Sequence, residues 1–186
     1  MRVIAGEHGG RRLQAVPGKN TRPTTDKNKE SLFNIIGPYF AGGIALDLFA
    51  GSGALGIEAL SRGCDQAYFM DRNRSAIQTI KQNIESLRLS DQAQVYPGEG
   101  FKNLTRIRSA QPDLQFDLVF LDPPYHEQKL LANLETLLAD HWLADQAVVV
   151  CEMEEHDQMP DQVGALTCIK NVVYGLTRFV IYEKEA

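Results

Sequence analysis

From residue 44 onward, short apolar runs alternate with longer stretches in which apolar residues recur every three or four positions. The first pattern predicts buried strands and the second predicts helices. The predicted strands cover 44–49, 66–70, 94–96, 116–121 and 147–153, and the predicted helices cover 54–62, 75–89, 101–107 and 129–138. Residues 167–174 and 176–183 predict a closing antiparallel hairpin. This alternation predicts an α/β fold with a doubly wound, mostly parallel seven-stranded sheet that binds ligands at the carboxyl ends of its strands.

The chain ahead of this alternation predicts a small β-hairpin and one helix. Strand candidates at 3–5 and 13–16 lie on either side of two consecutive glycines. Within 24–40, Thr24, Thr25 and Asp26 offer N-cap side chains to a helix that ends at the Gly-Pro pair 37–38. The chain has no repeat and no linker, so it predicts a single domain. Its parts are a basic hairpin or arm at 1–22, a helix at 24–40 and a catalytic core at 44–186.

Composition narrows the class of protein. A length of 186 residues with 44% hydrophobic content suits one domain with a sizeable core. No apolar run is long enough to cross a membrane and the first residues lack a signal-peptide core, so we expect a cytoplasmic protein without a membrane partner. The three widely spaced cysteines, Cys64, Cys151 and Cys168, predict reduced thiols and neither a disulfide framework nor a zinc site.

The charge is unevenly distributed along the chain. A net charge of −5 argues against a protein that coats nucleic acid indiscriminately. Residues 1–22 nevertheless carry five basic side chains against Glu7 alone. This basic arm predicts local contacts with nucleic-acid phosphates. The RNA-binding candidates are Arg2, Arg11, Arg12 and Arg22. A solvated, partly disordered terminus is the alternative.

A glycine-rich turn follows the first strand of the core. Gly51 and Gly53 permit positive φ angles and carry no Cβ that would keep a ligand away from the backbone. The amides at the start of the next helix would face that ligand. Together with Gly56, the two glycines also satisfy the dinucleotide pattern G-x-G-x-x-G, which leaves an NAD-dependent oxidoreductase open. A purely structural glycine turn is the third interpretation.

Asp47, four residues before Gly51, favours a different ligand. A carboxylate at this strand end accepts from an ammonium group but repels a pyrophosphate. S-adenosyl-L-methionine carries such an amine together with a ribose and an adenine. The segment 47–53, which includes Phe49 and Ser52, closely resembles motif I of the class I methyltransferases. That resemblance implies a Rossmann-like methyltransferase fold with this cofactor held by Asp47, Phe49, Gly51, Ser52 and Gly53.

Three further residues suit an adenosine-type ligand. Asp71 ends the second predicted strand, where a carboxylate can accept both ribose hydroxyls. Arg72 follows it and can lie along the adenine face. Glu99 follows the third strand, where methyltransferases often place an acceptor for the adenine amino group. A plain loop position is the alternative for Glu99.

The segment Asp122-Pro123-Pro124-Tyr125 follows a buried strand at the edge where chemistry is expected. Two prolines fix two φ angles and remove two amide donors, so the Asp122 carboxylate and the Pro123 carbonyl can be rigid acceptors. The exocyclic amine of a nucleobase offers two matching N–H donors, and Tyr125 offers a surface for base stacking. Accepting both hydrogens favours the tetrahedral nitrogen that attacks a sulfonium methyl. We therefore predict Asp122, Pro123 and Tyr125 as catalytic residues, with no metal required.

These four residues resemble motif IV of the methyltransferases that modify exocyclic or side-chain amines. The segment 22–26, with Glu30, Leu32, Phe33 and Asn34, is similar to the N-terminal signature of the bacterial 16S ribosomal RNA guanine-N2 methyltransferases. The resemblance covers nearly the whole chain. It implies methylation of the N2 amine of one guanine, guanine 966 by resemblance, in 16S rRNA. One departure is at residues 27–29, Lys-Asn-Lys, where that family usually has more arginine.

The expected partner is therefore 16S rRNA in the small ribosomal subunit or in an assembly intermediate, and we expect a monomer. The target base would be swung into the cleft while the basic arm holds neighbouring phosphates. A DNA adenine-N6 methyltransferase shares the Pro-Pro-Tyr logic, although no extra domain for reading a duplex is evident. A non-catalytic RNA-binding module is the remaining alternative.

Overall fold

The centre of the molecule is an eight-stranded sheet in the computed structural model, which describes residues 1–18, 24–124 and 129–186. The strands are β1 (Ile44–Asp47), β2 (Gln66–Asp71), β3 (Ala93–Pro97), β4 (Phe116–Leu121), β5 (Leu143–Glu154), β6 (Gln162–Val163), β7 (Leu166–Tyr174) and β8 (Thr177–Lys184). The helices are α1 (Asp26–Ile36), α2 (Ala54–Ser61), α3 (Arg74–Ser86), α4 (Gly100–Ala110) and α5 (Leu130–Ala139). The prediction of a doubly wound, mostly parallel α/β sheet is confirmed.

The strand order is β3-β2-β1-β4-β5-β8-β7-β6. The first five strands are parallel, and β8, β7 and β6 continue the sheet antiparallel. The chain leaves β1 toward β2 on one side and reaches β4 on the other, so β1 and β4 form the switch point of the sheet. Crevices at the carboxyl ends of such strands are where doubly wound sheets bind ligands.

Two details of the sheet differ from the sequence prediction. The predicted seven strands become eight in the described residues because β6 is only two residues long, too short for a periodic pattern. β5 begins at Leu143 and not at residue 147. Its β4 register shifts between Phe116 and Leu118, and Gln146 has a φ of +64°. This irregularity places exposed polar residues inside the strand and hides its start.

Helices cover both faces of the sheet. Helices α1, α2 and α3 contribute to one apolar cluster, and α4 and α5 contribute to a second cluster on the opposite face. Every residue of α2 is buried, so its lone carboxylate, Glu58, lies in the core. None of the helices in the described part of the chain has the length and apolar character needed to span a bilayer. All three cysteines are free.

The N-terminal arm forms the predicted hairpin in a short form, in which the Val3 amide donates to the Arg11 carbonyl at 2.9 Å and the Leu13 amide donates to the Met1 carbonyl at 3.0 Å. A single antiparallel bridge joins Arg2 and Arg12. The amides of Ile4 and Ala5 instead donate to the two carboxyl oxygens of Glu58, at 2.9 and 3.1 Å. Because the Glu58 side chain of α2 takes these two donors, the pairing of the predicted strand at 3–5 does not extend beyond Val3.

Glu58 also organises a buried ion cluster. Its carboxyl oxygens lie 3.5 Å from Lys29 Nζ and 2.7 Å from Arg62 Nε, and all three side chains are at most 2% exposed. Burial lowers the pKa of Lys29, while the adjacent Glu58 charge opposes that shift. Lys29, one of the two lysines at the departure from the related family, therefore faces the core and not RNA.

Helix α1 is shorter than the segment 24–40 predicted for it. Thr25 is the N-cap, accepting from the amide of Asn28 at 3.1 Å, and Gly37 follows the last helical residue. Thr24, the other threonine offered as a cap, is left for a different partner, Glu152.

Candidate active site

Three carboxyl side chains meet at the carboxyl ends of neighbouring central strands. Asp47 ends β1, Asp122 follows β4 and Glu152 lies near the end of β5. The sheet aligns them because Asp47 pairs with Phe120 and Leu121 pairs with Cys151. We call these three residues the carboxyl cluster. The negative charges of Asp47 and Glu152 both raise the pKa of Asp122, and the charge of Glu152 also raises the pKa of Asp47.

Asp47 is the most enclosed member of the cluster, with 2% of its surface exposed. Its Oδ2 accepts the amide of Gly56, in the first turn of α2, at 3.1 Å. Burial raises the pKa of Asp47 to about 7, and the Gly56 hydrogen bond opposes that shift while the negative charges of Asp71 and Glu152 add to it. The predicted partner of this carboxylate, a ligand ammonium group, would supply the positive charge that the site lacks among these neighbours.

Asp122 and Glu152 share a hydrogen bond between their carboxyl groups. Burial, followed by the charge of Glu152, raises the pKa of Asp122 well above its usual range. Two carboxyl groups can hydrogen-bond to each other only when one of them holds a proton. The raised pKa of Asp122 favours the protonated carboxyl that such a hydrogen bond needs.

Glu152 was not predicted from the sequence. Its second partner is Thr24, whose Oγ1 lies 3.0 and 3.1 Å from the two carboxyl oxygens of Glu152. The signal that could have found Glu152 is the acid at the end of an apolar strand, the same signal that identified Asp47 and Asp122. Thr24 has no such signal because it lies 128 residues away along the chain.

The glycine turn, residues 50–53, lies beside this cluster. Gly51 and Gly53 have φ angles of +57° and +83°, and Gly53 is the N-cap of α2. The Gly51 amide donates to Asp71 Oδ2 at 2.8 Å, while Asp71 Oδ1 accepts the Asn73 amide at 2.8 Å. Asp71 therefore holds the turn in shape. Contact between Asp71 and a ribose remains a prediction. Each carboxyl oxygen of Asp71 has a further lone pair that could accept a ribose hydroxyl.

The surroundings of the glycines show which side of the turn is open. A Cβ added at Gly51 would meet no atom within 4 Å, whereas one added at Gly56 would lie 2.4 Å from Phe69 Cε1. Gly51 thus borders open space beside the carboxyl cluster, and Gly56 permits close packing of α2 on β2. An adenosine ligand fits this arrangement.

Substituting these two glycines should separate binding from stability. Gly51→Ala is expected to cost ~1–2 kcal/mol of stability through its left-handed backbone. It should also weaken S-adenosylmethionine binding by about tenfold, ~1.4 kcal/mol, because the new methyl occupies ligand space. Gly56→Ala should destabilise the fold by up to ~3 kcal/mol through overpacking and leave affinity in the folded fraction unchanged. Calorimetry and thermal unfolding measure both. Wild-type affinity in Gly51→Ala would place the ligand elsewhere.

Two other predicted cofactor residues lie in or next to the glycine turn. Phe49 is half-buried and packs against the apolar cluster under α4 and α5. Ser52 is buried, and its carbonyl accepts from Asn83 Nδ2 at 3.0 Å. The same Asn83 side chain pairs with the backbone of Gln14 in the arm, accepting its amide at 2.8 Å and donating to its carbonyl at 3.0 Å. Asn83 therefore joins the arm to the glycine turn.

The remaining predicted cofactor residues lie at the outer strand ends. Arg72 is exposed after β2. Glu99 is the N-cap of α4, where its two oxygens accept the amides of Phe101 and Lys102 at 3.1 and 2.9 Å. A capping role thus accounts for the acid at this position, and contact with an adenine amino group remains a prediction.

The other predicted residues are the four arginines proposed for RNA binding and the catalytic candidates Pro123 and Tyr125. Arg2 pairs with Asp26 at 3.3 Å, and Arg11 donates to the Ser86 carbonyl at 3.0 Å. Arg12 is exposed and Pro123 is buried. Tyr125 and Arg22 lie outside the described residues. Within the described ranges, no group of three or more His, Cys, Asp or Glu side chains is arranged to hold a metal ion.

Comparison with known proteins gives a consistent result. A family model described as "Conserved hypothetical protein 95" matches residues 1–183. The chain is 50% identical over 184 residues to the Bacillus subtilis protein named "Putative rRNA methyltransferase YlbH", covering 99% of each. It is 33% identical over 186 residues to the Escherichia coli protein "Ribosomal RNA small subunit methyltransferase D", covering 100% of this chain and 91% of that protein.

A solved structure of an Escherichia coli protein, named "Putative methyltransferase yhhF", has a TM-score of 0.82 at 34% identity and covers 100% of this chain and 98% of that chain. These matches confirm the resemblance carried by the motifs. The chain belongs to the family described as Conserved hypothetical protein 95, and its fold is that of the class I methyltransferases.

Proposed function

We propose that this protein transfers the methyl group of S-adenosyl-L-methionine to the exocyclic N2 amine of one guanine in 16S rRNA, guanine 966 by resemblance. One observation supports this most strongly. The carboxyl of Asp122 and the open glycine turn lie side by side at the switch point of the sheet. An acceptor for an amine therefore adjoins a site for a sulfonium donor.

The chain's own residues would hold the cofactor at the glycine turn. Gly51 and Gly53 allow a close approach of the ligand to the backbone, and Asp47 supplies the negative charge for its ammonium group. Asp71 lies at the end of the adjacent strand for the ribose hydroxyls. When bound, the cofactor supplies a methyl group on a positively charged sulfur.

The target amine would be held on the opposite side, at the end of β4. The Asp122 carboxyl and the Pro123 carbonyl accept its two hydrogens, and Tyr125 stacks on the base. The protein contributes alignment of nitrogen, methyl and sulfur, which can lower the barrier by ~7–11 kcal/mol. No change of redox state is involved, and the sulfur leaves as a neutral thioether.

The names of the relatives support RNA as the substrate. The Escherichia coli protein is named for the small ribosomal subunit and the Bacillus subtilis protein for rRNA. In this chain, the exposed Arg12 and the partly exposed Arg2 would contact phosphates around the target base. Such contacts position the RNA but do not choose the base.

The decisive experiment maps the modified base. Purified protein and tritium-labelled cofactor are mixed with small subunits, assembly intermediates and naked 16S rRNA that lack the modification, and the methylated base is identified by mass spectrometry. We expect one N2-methylguanine in 16S rRNA. Duplex DNA and NADH form the comparison arms. Methylation of adenine in DNA, or binding of NADH in place of the methyl donor, would contradict the proposal.

The raised pKa of Asp47 makes cofactor binding sensitive to pH. In the free protein this carboxyl is largely protonated below about pH 7. A cation nearby favours the ionised form, so binding lowers the pKa and releases a proton. We therefore expect affinity to fall as pH falls below about 7, with proton release on binding near pH 6.

Calorimetry in two buffers of different ionisation enthalpy measures that proton release. Asp47→Asn keeps an acceptor for the Gly56 amide but cannot titrate, so its binding should release no proton. Equal proton release by the variant and the wild type would show that another group responds to the ligand.

A further inference from the structure

Glu152 occupies a position that the proposed function does not yet use. Resting on that function, we propose that Glu152 is the final acceptor of the proton lost by the target amine, which reaches it through Asp122, and that Thr24 holds Glu152 in place for this step. Glu152 acts through Asp122 and is therefore a positioning and proton-accepting residue behind the catalytic carboxyl.

The geometry places the three groups in a row. Asp122 follows β4 and Glu152 lies on the adjacent strand β5, so their carboxyl groups meet at one edge of the sheet and hydrogen-bond. Thr24 Oγ1 is 3.0 Å from Glu152 Oε1 and 3.1 Å from Oε2. The hydroxyl of Thr24 donates to this carboxyl and thereby holds it in place beside Asp122.

The charges around the pair decide where its proton lies. Among the described residues, the charged groups that shift the pKa of Asp122 are two acids, Glu152 and Asp47. The negative charge of Asp71 in turn raises the pKa of Asp47. Burial and the neighbouring charge of Glu152 both raise the pKa of Asp122. In the proposed relay, Asp122 holds the proton at rest and donates it in a hydrogen bond to Glu152.

The proton transfer balances without any outside reagent. Nitrogen forms a bond to the methyl carbon, and the electrons of the carbon–sulfur bond stay on sulfur. One N–H bond of the resulting ammonium then breaks and leaves its electrons on nitrogen, while that proton binds the free oxygen of Asp122. The original proton of Asp122 moves to Glu152. Glu152, which is partly exposed, releases it to water after the product leaves.

The test uses Glu152→Gln, which keeps the shape of the side chain but cannot take a proton. The matched control is Glu154→Gln, an exposed glutamate on the same strand. We expect single-turnover methyl transfer to unmodified small subunits to fall about tenfold or more in Glu152→Gln, as for loss of a general base. Cofactor affinity should stay within about twofold, ~0.4 kcal/mol. The control should match the wild type.

A second readout does not depend on activity. Carbon-13 NMR of the Asp122 carboxyl follows its titration in the free protein. Removing the Glu152 charge should move that titration to lower pH, a change that a purely structural role would not produce. Thr24→Val should reduce transfer several-fold, and Thr24→Ser, which keeps the hydroxyl, should restore it.

The outcomes are distinguishable. A wild-type rate of methyl transfer together with an unchanged Asp122 titration in Glu152→Gln would overturn the inference. It would also be overturned if Glu152→Gln folds normally and loses only cofactor binding. If the wild-type protein methylates no guanine, the proposed function fails. In that case the NMR titration still decides whether Glu152 controls the proton on Asp122.

Discussion

Asp122→Ala is expected to abolish methyl transfer while leaving cofactor binding intact. The variant loses the carboxyl that accepts a hydrogen bond from the target amine and then takes the proton that the amine releases. Methyl transfer should therefore fall by ~10²–10⁴-fold. The glycine turn and Asp47 are untouched, so cofactor affinity should remain close to the wild-type value. Single-turnover transfer to unmodified small subunits, together with calorimetry of cofactor binding, measures the two effects separately.

Asp91→Ala is the matched control for this substitution. Asp91 is an exposed aspartate ahead of β3 and should give wild-type values in both assays. A wild-type rate of methyl transfer in Asp122→Ala would contradict the proposed role of Asp122. Loss of cofactor binding would instead assign Asp122 to the cofactor site.

Glu58→Gln should have the largest effect on stability. The carboxylate faces two buried cations, Lys29 and Arg62, and accepts two backbone amides from the arm. Glutamine removes the charge that both cations contact, and breaking such a buried pair costs ~3–5 kcal/mol. Urea unfolding should show this loss as a lower midpoint. Limited proteolysis should also show earlier cleavage of the first residues, since they lose their anchor.

The matched control is Glu85→Gln, an exposed glutamate near the end of α3. A surface substitution of this kind changes stability by less than ~0.5 kcal/mol. A loss below ~1 kcal/mol in Glu58→Gln would mean that water or a rearranged lysine replaces the missing charge.

Several parts of the site could be predicted because their signals are local. Asp47 and Asp122 each follow a short apolar run, and strand ends converge at one edge of a parallel sheet. Gly51 and Gly53 have the positive φ angles that their spacing suggested. Glu152 gives the same kind of signal but lies inside a strand that continues beyond it, so its proximity to the strand end was not apparent.

Other parts depend on distant contacts that no local pattern contains. The amides of Ile4, Ala5 and Gln14 in the arm donate to the side chains of Glu58 and Asn83, whereas a sequence pattern records only that residues 3–5 are apolar enough for a strand. Lys29 is a polar residue on an amphipathic helix, yet its side chain is buried and contacts the carboxylate of Glu58 on α2. The two threonines ahead of α1 were equivalent as caps in the sequence, and tertiary contacts separate their roles.

The bridge made by Asn83 matters to anyone who shortens this protein. Its amide group binds Gln14 on one side and the Ser52 carbonyl on the other, and it is 1% exposed. Trimming the first sixteen residues to obtain a minimal scaffold would remove two of these three hydrogen bonds of Asn83 and leave buried polar atoms unpaired beside the glycine turn. A compact engineered variant should therefore keep those residues.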